Sequence, residues 1–337
     1  MPAPRTWIVY TFRLLMLAIA IMILGGGSLA YVTARGRAAA IRYIERAGGY
    51  VTYESGASRG GTSLPEWMRS VEEVQLFGVN ECDLKYLVPL HEIEILGCPG
   101  SRLTDDSFRA IGRFHRLHTL VIDKNSITDH GLKALRTCRK LKSLSMVNVP
   151  ITDDGLAALQ GLPLTSLDLR GTQITDAGLV HLAGFRLESL MLSNTQVTDA
   201  GLAHLTQLPL TALSLERTPV TDAGLAEVSQ LHSLSALYLG ETQITDAGLH
   251  DLAHLPLTFL SLKDTEVTDA GLEELEHLPL EMLVITECDV SRQSMSTLRA
   301  MKSLRVLYLS SPPFSEDDAA DLSESGMRVM LFARHGE

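Results

Sequence analysis

Aspartates are the residues of this chain whose spacing comes closest to that of a chemical site. They recur every 23 or 24 residues, as Asp105, Asp129, Asp153, Asp176, Asp199, Asp222, Asp246 and Asp269. Such a column could attract calcium, but calcium needs about six to eight converging oxygens and each repeat offers one carboxylate. We therefore predict no metal site. A threonine such as Thr175 precedes each aspartate and can cap a helix, whose dipole favours an anion in the first turn.

Histidines offer no better set of catalytic groups. His181 and His204 occupy the same position in consecutive repeats, as do His254 and His277, which predicts pairs on neighbouring helices near the surface. No carboxylate or thiol stands beside them at a spacing diagnostic of a metal ligand. The chain also lacks the HExxH motif and a phosphate-binding glycine loop. We expect no enzymatic activity, no cofactor and no small-molecule substrate.

The elements that carry these residues follow from an internal repeat. The segment [ILV]-T-D-x-G-L opens at Ile127 and returns six times with spacings of 23 or 24 residues, and eroded copies extend the series at both ends. An L-x-x-L-x-L segment precedes each copy, and its period of two predicts a short strand. After the motif the apolar spacing becomes three and four, which predicts a helix. Each repeat is thus a strand followed by a helix.

This pattern resembles the leucine-rich repeat family. The family consensus L-x-x-L-x-L-x-x-N/T/C-x-[IL] fits the segment from Leu164 to Ile174, with Thr172 at the polar position, and the match covers residues 71–332. The resemblance implies an α/β fold, a curved right-handed solenoid with a parallel sheet on its concave face and helices on its convex face. The repeats look most like those of bacterial membrane-anchored leucine-rich repeat proteins, and less closely like the cysteine-containing repeats of F-box proteins.

The four cysteines fit a structural role in this repeat. They have no CxxC spacing, so neither a zinc site nor a disulfide framework is indicated: Cys82, Cys98, Cys138 and Cys288. On the repeat, Cys98 and Cys288 take the polar ninth position and Cys138 replaces a helix leucine. We expect them to be buried, because a buried thiol behaves as a small apolar group.

The N-terminal region predicts a membrane anchor. After a basic tail (residues 1–13), the 19 residues from Leu14 to Val32 carry no charge and could span a bilayer as a helix. Residues 33–70 are predicted to form a basic helical stem and an N-terminal cap, and residues 333–337 a C-terminal tail. A signal peptide cleaved after Ala30 is the alternative, although the arginines that follow resist translocation. The arginine balance slightly favours a single-pass protein with a cytoplasmic solenoid.

Charge narrows the class of partner. The chain carries −11, of which residues 1–49 contribute +5, so subtraction leaves −16 on the remainder. An acidic body repels phosphate backbones, which argues against a nucleic-acid partner. A protein with a basic surface fits better.

The candidate binding residues lie at the outward positions of the predicted strands. These positions are small or polar in the middle of the array and become apolar toward its C-terminal half. We predict a partner-binding patch on the concave face made of Met191, Tyr238, Phe259, Met282, Val284, Val306 and Tyr308. Its predicted charged rim consists of Glu216, Arg217, Glu241, Lys263, Asp264 and Glu287.

Three functions remain open at this point. The leading hypothesis is a membrane-tethered protein–protein interaction module that binds a macromolecule on its concave face. The second is a scaffolding protein that self-associates at the membrane. The third, which applies if the N-terminus is cleaved after Ala30, is a secreted binding protein.

Overall fold

One sheet runs through the whole described chain. The computed structural model describes residues 34–53, 70–78, 83–324 and 326–334. Within these ranges thirteen strands pair in chain order, β1 with β2 antiparallel and every later pair parallel. The strands are β1 Tyr50–Tyr53, β2 Val71–Gln75, β3 Ile95–Gly97, β4 Thr119–Val121, β5 Ser143–Ser145, β6 Ser166–Asp168, β7 Ser189–Met191, β8 Ala212–Ser214, β9 Ala236–Tyr238, β10 Phe259–Ser261, β11 Met282–Val284, β12 Val306–Ser311 and β13 Arg328–Ala333.

The repeated leucines explain why the strands stack in register. In β7, β8 and β9 the central residues Leu190, Leu213 and Leu237 pair side by side and are fully buried. Their neighbours on either side point to the opposite face, because side chains alternate along a strand. A shift of one residue would expose the leucines and bury the outward residues, so the hydrophobic pattern determines the register.

Short helices return the chain from each strand to the next. The α-helices are Asp105–Phe108, Asp129–Leu132, Asp153–Ala158, Asp176–Leu179, Asp199–Leu202, Asp222–Val228, Asp246–Leu249, Asp269–Glu274, Met295–Ala300 and Glu316–Ser323. The 3₁₀ segments are Leu84–Leu90, Arg109–Arg113, Lys133–Thr137, Val180–Leu182, Ala203–Leu205, His250–Leu252 and Arg292–Ser294. Strands need ~4.8 Å each and packed helices ~8–10 Å, so the sheet takes the inside of the curve. The predicted solenoid is confirmed.

The Thr-Asp pair of the motif joins consecutive repeats. Thr175 caps its own helix as predicted, since its Oγ1 accepts a hydrogen bond from the Ala177 N–H at 3.3 Å. Asp176, however, also accepts two hydrogen bonds from Thr198 of the next repeat, one from its N–H at 2.7 Å and one from its Oγ1 at 2.6 Å. The same two bonds recur along the array, and they end at Ser291.

The glycine of the motif makes room for this bond. A Cβ atom on Gly201 would lie 2.3 Å from Oδ1 of Asp176, and the equivalent glycines from Gly131 to Gly271 stand equally close to the preceding aspartate. A contact that short is a steric clash. T-D-x-G is therefore one unit, in which a small residue leaves space for the carboxylate of the previous repeat.

The basic segment before the repeats is a docked helix and not a solvated stem. Residues 34–46, which we call the cap helix, are helical. Ala40, Ile41 and Ile44 are buried in the core of the array. Arg37 forms an ion pair with Glu92, with only 12% and 9% of the two side chains exposed. The cap helix thus covers the apolar end of the first repeat.

The predicted anchor from Leu14 to Val32 lies outside the described residues, as do residues 335–337 of the predicted tail. Among the residues that are described, no helix combines the length and apolar character needed to cross a bilayer.

Candidate functional site

The outward strand residues form two rows on the open face of the sheet. One row runs Ser143, Ser166, Ser189, Ala212, Ala236, Phe259, Met282, Val306 and Arg328. The other runs Ser145, Asp168, Met191, Ser214, Tyr238, Ser261, Val284, Tyr308 and Met330. The first row changes from small residues to large apolar ones between Ala236 of β9 and Phe259 of β10. The second row carries Tyr238, Val284, Tyr308 and Met330 in its C-terminal half, with Ser261 of β10 among them.

Six of the predicted residues lie together and are called the apolar patch: Tyr238, Phe259, Met282, Val284, Val306 and Tyr308. All six are partly exposed. The rings of Tyr238 and Phe259 are in contact, with centroids 4.5 Å apart and planes tilted by 37°. Met282 lies between Phe259 and Val306 on the adjacent strands. The patch is therefore connected through Phe259, Met282 and Val306, while Ser261 stands between Tyr238 and Val284 in the other row.

Met191 does not join the apolar patch. In the row on the open face, Ser214 of β8 stands between Met191 and Tyr238. Ser214 donates to or accepts from Ser193 at 2.6 Å, and both hydroxyls are buried. The other outward residue of β8 is Ala212, so no large apolar side chain of that strand connects Met191 to the patch.

Two further apolar residues extend the surface beyond the predicted set. Phe332 of β13 is 45% exposed, and its ring stacks on Tyr308 with centroids 5.7 Å apart. Met330 pairs with Tyr308 in the same row. The uninterrupted apolar run from Val329 to Ala333 is the signal that could have identified them, because such a run predicts a strand with apolar side chains on both faces. It was missed because no motif of the repeat follows this strand.

The predicted rim residues occupy the turns that follow β8 to β11. Arg217 donates two hydrogen bonds to Glu241, at 2.6 and 2.7 Å, and Lys263 Nζ lies 3.6 Å from the same carboxylate. The backbone of Arg217, Glu241, Asp264 and Glu287 is left-handed, with φ between 54° and 63°. This uncommon conformation is imposed by the turn at the end of each strand, whose N–H bonds to the next repeat. It places the charged side chains in a line beside the patch.

Glu216 differs from the other rim carboxylates. Its pKa is raised because partial burial removes water from the carboxylate, and the negative charge of Glu241 adds to the effect. Arg217 and Lys263 oppose this rise. By contrast, the hydrogen bonds from Arg217 lower the pKa of Glu241. Of these two carboxylates, Glu216 is thus the one whose charge is less compensated.

The carboxylates of the aspartate column bond to protein groups of the neighbouring repeat. Each of its carboxylates accepts hydrogen bonds from the next repeat, as described above for Asp176. Nowhere in the described ranges do three His, Cys, Asp or Glu residues converge as metal ligands would. The carboxylates hold the array together.

The histidine and cysteine side chains described next contact the protein itself or lie in its core. His254 Nε2 lies 3.0 Å from the Ser229 carbonyl, and its ring lies 5.9 Å from that of His232. Cys98, Cys138 and Cys288 are buried, as expected. Burial raises the pKa of Cys138 to about 11, so its thiol stays protonated and unreactive at neutral pH. Cys82 lies outside the described residues.

One further motif lies outside the repeats. Residues 56–60 read G-A-S-R-G, which has the spacing of a GxSxG nucleophile elbow. The letters alone are a weak indication, because the elbow needs a strand–turn–helix setting and a histidine base. These residues lie outside the described ranges.

The fold and its repeats resemble those of leucine-rich repeat proteins. Residues 163–183 match the family model described as Leucine Rich repeat. No curated protein sequence matches the chain.

Two solved structures illustrate the likeness. An internalin (inlF) from Listeria monocytogenes is 23% identical, with a TM-score of 0.57 over 89% of this chain and 88% of its own. Internalin C2 (inlC2) from the same species is 27% identical over 60% of this chain and 84% of its own, with a TM-score of 0.46. The first likeness shows a shared fold, and the resemblance to leucine-rich repeat proteins is confirmed.

Proposed function

We propose that this protein is a binding module, and that the apolar patch on the concave face of its sheet receives a protein partner. The carrying observation is the apolar surface from Tyr238 to Tyr308, on strands whose equivalents from β5 to β8 carry mostly serine and alanine. Aromatic residues and methionine are enriched at protein interfaces, and large exposed apolar surfaces are uncommon on proteins that bind nothing. The core is built from the inward leucines and the repeats are joined by the Thr-Asp hydrogen bonds, so these outward side chains are free to serve recognition.

The charge of the molecule favours a partner with a basic surface. The chain outside residues 1–49 carries −16 once the +5 of that segment is subtracted from −11. Long-range attraction speeds the encounter with a basic protein, and the rim charges then orient it beside the patch.

We also propose that the module is tethered to a membrane through residues 14–32. The support is the uncharged run from Leu14 to Val32 and the arginines that follow it. The cap helix begins close behind that run and packs on the first repeat, so a span there would hold one end of the array beside the bilayer. Cleavage after Ala30, which would release a secreted binding protein, is the competing outcome.

Binding by the patch is tested by replacing two of its apolar side chains with carboxylates. The double variant Phe259→Asp, Tyr308→Asp should lose the proteins that the tagged full-length chain captures from its native cells, because two carboxylates cannot be desolvated in an apolar contact. Both positions are partly exposed, so the fold should survive, which circular dichroism checks. Val180→Asp is the matched control, since Val180 is a 49% exposed apolar residue on the helical side.

Two outcomes would contradict the proposal. Unchanged capture by the double variant would exclude the patch as the binding surface. Capture of a second, differently tagged copy of this chain, lost in the double variant, would replace a foreign partner by self-association and favour the scaffolding hypothesis.

A further inference from the structure

A groove lies beside the apolar patch at the ends of β5 to β10. It has a volume of about 450 Å³ and is open to solvent along the turns. Arg170, Ser193, Glu216, Arg217, Glu241 and Lys263 are among the residues that line it. Glu216 follows β8 by two residues, and Ser214 of β8 pairs with Tyr238 of β9. Two residues along a strand are ~7 Å, so the groove and the Tyr238–Phe259 ring pair can contact one ligand.

Each cation in the groove already has a carboxylate partner. Arg170 donates to both oxygens of Asp168, at 2.9 and 3.1 Å from Nε and 2.6 Å from Nη2. Arg217 is bound bidentately by Glu241, which Lys263 also approaches at 3.6 Å. Among the described residues that line the groove, Glu216 is the carboxylate that takes part in none of these ion pairs.

The surroundings of Glu216 keep its carboxylate partly buried and open on one side. Its Oε1 lies over Gly240 of the next repeat, where a Cβ atom would stand 3.2 Å away. The burial and the neighbouring Glu241 raise the pKa of Glu216. The ionised carboxylate is therefore less stable in the protein without a ligand than it would be in water. A cation brought by a ligand would remove that destabilisation, because a partly buried charge gains more from a partner than an exposed one.

We propose that Glu216 is the seat for an arginine side chain of the protein partner, adjacent to an apolar residue that the partner places on the Tyr238–Phe259 ring pair. This inference rests on the proposed function, because it names the chemistry of the group bound beside the apolar patch. Arginine suits the site better than lysine, since its planar guanidinium can bond a carboxylate in bidentate fashion and stack on an aromatic face such as Tyr238. The acidic body of the chain favours the same sign of ligand.

The probe is a peptide that carries the two groups at the spacing of the site. We choose fluorescein-labelled Arg-Ser-Phe-Ser-Arg-Ser-Phe, which in an extended conformation presents Arg and Phe on one side, ~7 Å apart. The same peptide with citrulline for arginine keeps the shape and removes the charge. Binding to the full-length protein in detergent micelles is followed by fluorescence anisotropy.

The matched variants are Glu216→Gln and Asp264→Asn, which remove the same charge from two places on the rim. We expect Glu216→Gln to weaken binding of the arginine peptide by about tenfold or more, and Asp264→Asn by less than about threefold. Neither variant should change the affinity for the citrulline peptide. If the two variants weaken binding of the arginine peptide equally, Glu216 contributes only through the overall charge of the rim, and the inference is wrong. So would a wild-type protein that binds the arginine peptide no better than the citrulline peptide, including binding of neither.

Thermal unfolding provides the check on folding. A carboxyl group whose pKa is raised in the folded state destabilises the fold as the pH rises through that pKa, and has no such effect at pH values where it is protonated in both states. Glu216→Gln should therefore raise the Tm at pH 7, with a difference that vanishes below the ordinary carboxyl range. A lowered Tm at pH 7 would show that Glu216 stabilises the free protein, contrary to the inference.

The two proposals, the apolar patch and the arginine site at Glu216, can be refuted independently. If Phe259→Asp, Tyr308→Asp abolishes capture of the cellular partner but Glu216→Gln leaves both that capture and peptide binding unchanged, the apolar patch stands and the seat is wrong. If Glu216→Gln weakens the arginine peptide while the double variant has no effect on either ligand, the seat stands without the patch.

Discussion

At the scale of single residues, the motif T-D-x-G-L both begins a helix within its own repeat and forms contacts with the neighbouring repeats. The threonine caps a helix and the aspartate sits in the first turn, which local rules foresee. The same aspartate also bonds to the threonine of the next repeat, and the glycine of that repeat stands where a larger residue would collide with the carboxylate. The carboxylates therefore serve as hydrogen-bond acceptors that hold neighbouring repeats together.

Gly201→Ala tests this account by the sign of its effect. In an ordinary helix this substitution stabilises a protein, because alanine is the better helix former. Here a Cβ atom would lie 2.3 Å from Oδ1 of Asp176, so we expect a loss of about 1–3 kcal/mol in the free energy of unfolding, measured by urea denaturation. Ala200→Ser, on the exposed side of the same helix, should change it by less than about 0.5 kcal/mol.

A double-mutant cycle then identifies the cause. In the background of Asp176→Ala the carboxylate is absent, and Gly201→Ala should cost less than it does in the wild type. Strict additivity of the two losses would mean that the glycine is needed for some other reason.

At the scale of elements, the basic segment before the repeats contains the cap helix, which packs against the first repeat. Arginine and alanine in residues 34–46 favour a helix by propensity alone. Which side of that helix is buried depends on the first repeat, which offers an apolar end for Ala40, Ile41 and Ile44 and a carboxylate, Glu92, for Arg37. The Val71 N–H also donates to Oε1 of Glu92 at 3.4 Å, so one side chain joins the cap helix to β2.

Glu92→Ala should loosen the cap helix. Removing one partner of a buried ion pair leaves the other charge buried, which costs about 3–5 kcal/mol. Hydrogen exchange of residues 34–46, followed by mass spectrometry, should accelerate. Glu94→Ala, which breaks the more exposed pair with Arg116, is the matched control and should cost less than about 1 kcal/mol. If both variants leave exchange in residues 34–46 at the wild-type rate, the ion pair does not secure the cap helix.

At the scale of the whole molecule, one core runs from the cap helix to the last strand. The buried residues form a single cluster from Ala40 to Met327. Each repeat contacts its neighbours, so the outward side chains can vary without disturbing the fold, and the two halves of the open face have come to differ in character. The proposed binding surface lies in the C-terminal half of the array, and the docked cap helix lies at its N-terminal end.

The proposed tether predicts where the full-length protein is found. We expect the membrane fraction to contain a chain with an intact N-terminus, because the run from Leu14 to Val32 is long enough to span a bilayer. N-terminal mass analysis of the fractionated protein measures this, and protease shaving of intact cells then shows on which side the array lies. A chain that starts at Tyr31 in the soluble fraction would refute the tether and favour the secreted binding protein.

The sequence alone determined the repeat, its strands and helices, and which strand residues face outward. These features follow from periods of two and of three to four residues, which are local and survive in any copy of the motif. Tyr238, Phe259, Met282, Val284, Val306 and Tyr308 could be placed on one face for the same reason. Only the tertiary structure decided which side chains bond across repeats, such as Arg217 with Glu241, and that Ser214 isolates Met191. It also decided that the cap helix is buried and that Phe332 extends the patch. Those contacts join residues about twenty or more positions apart, and they depend on the register and curvature with which the repeats stack.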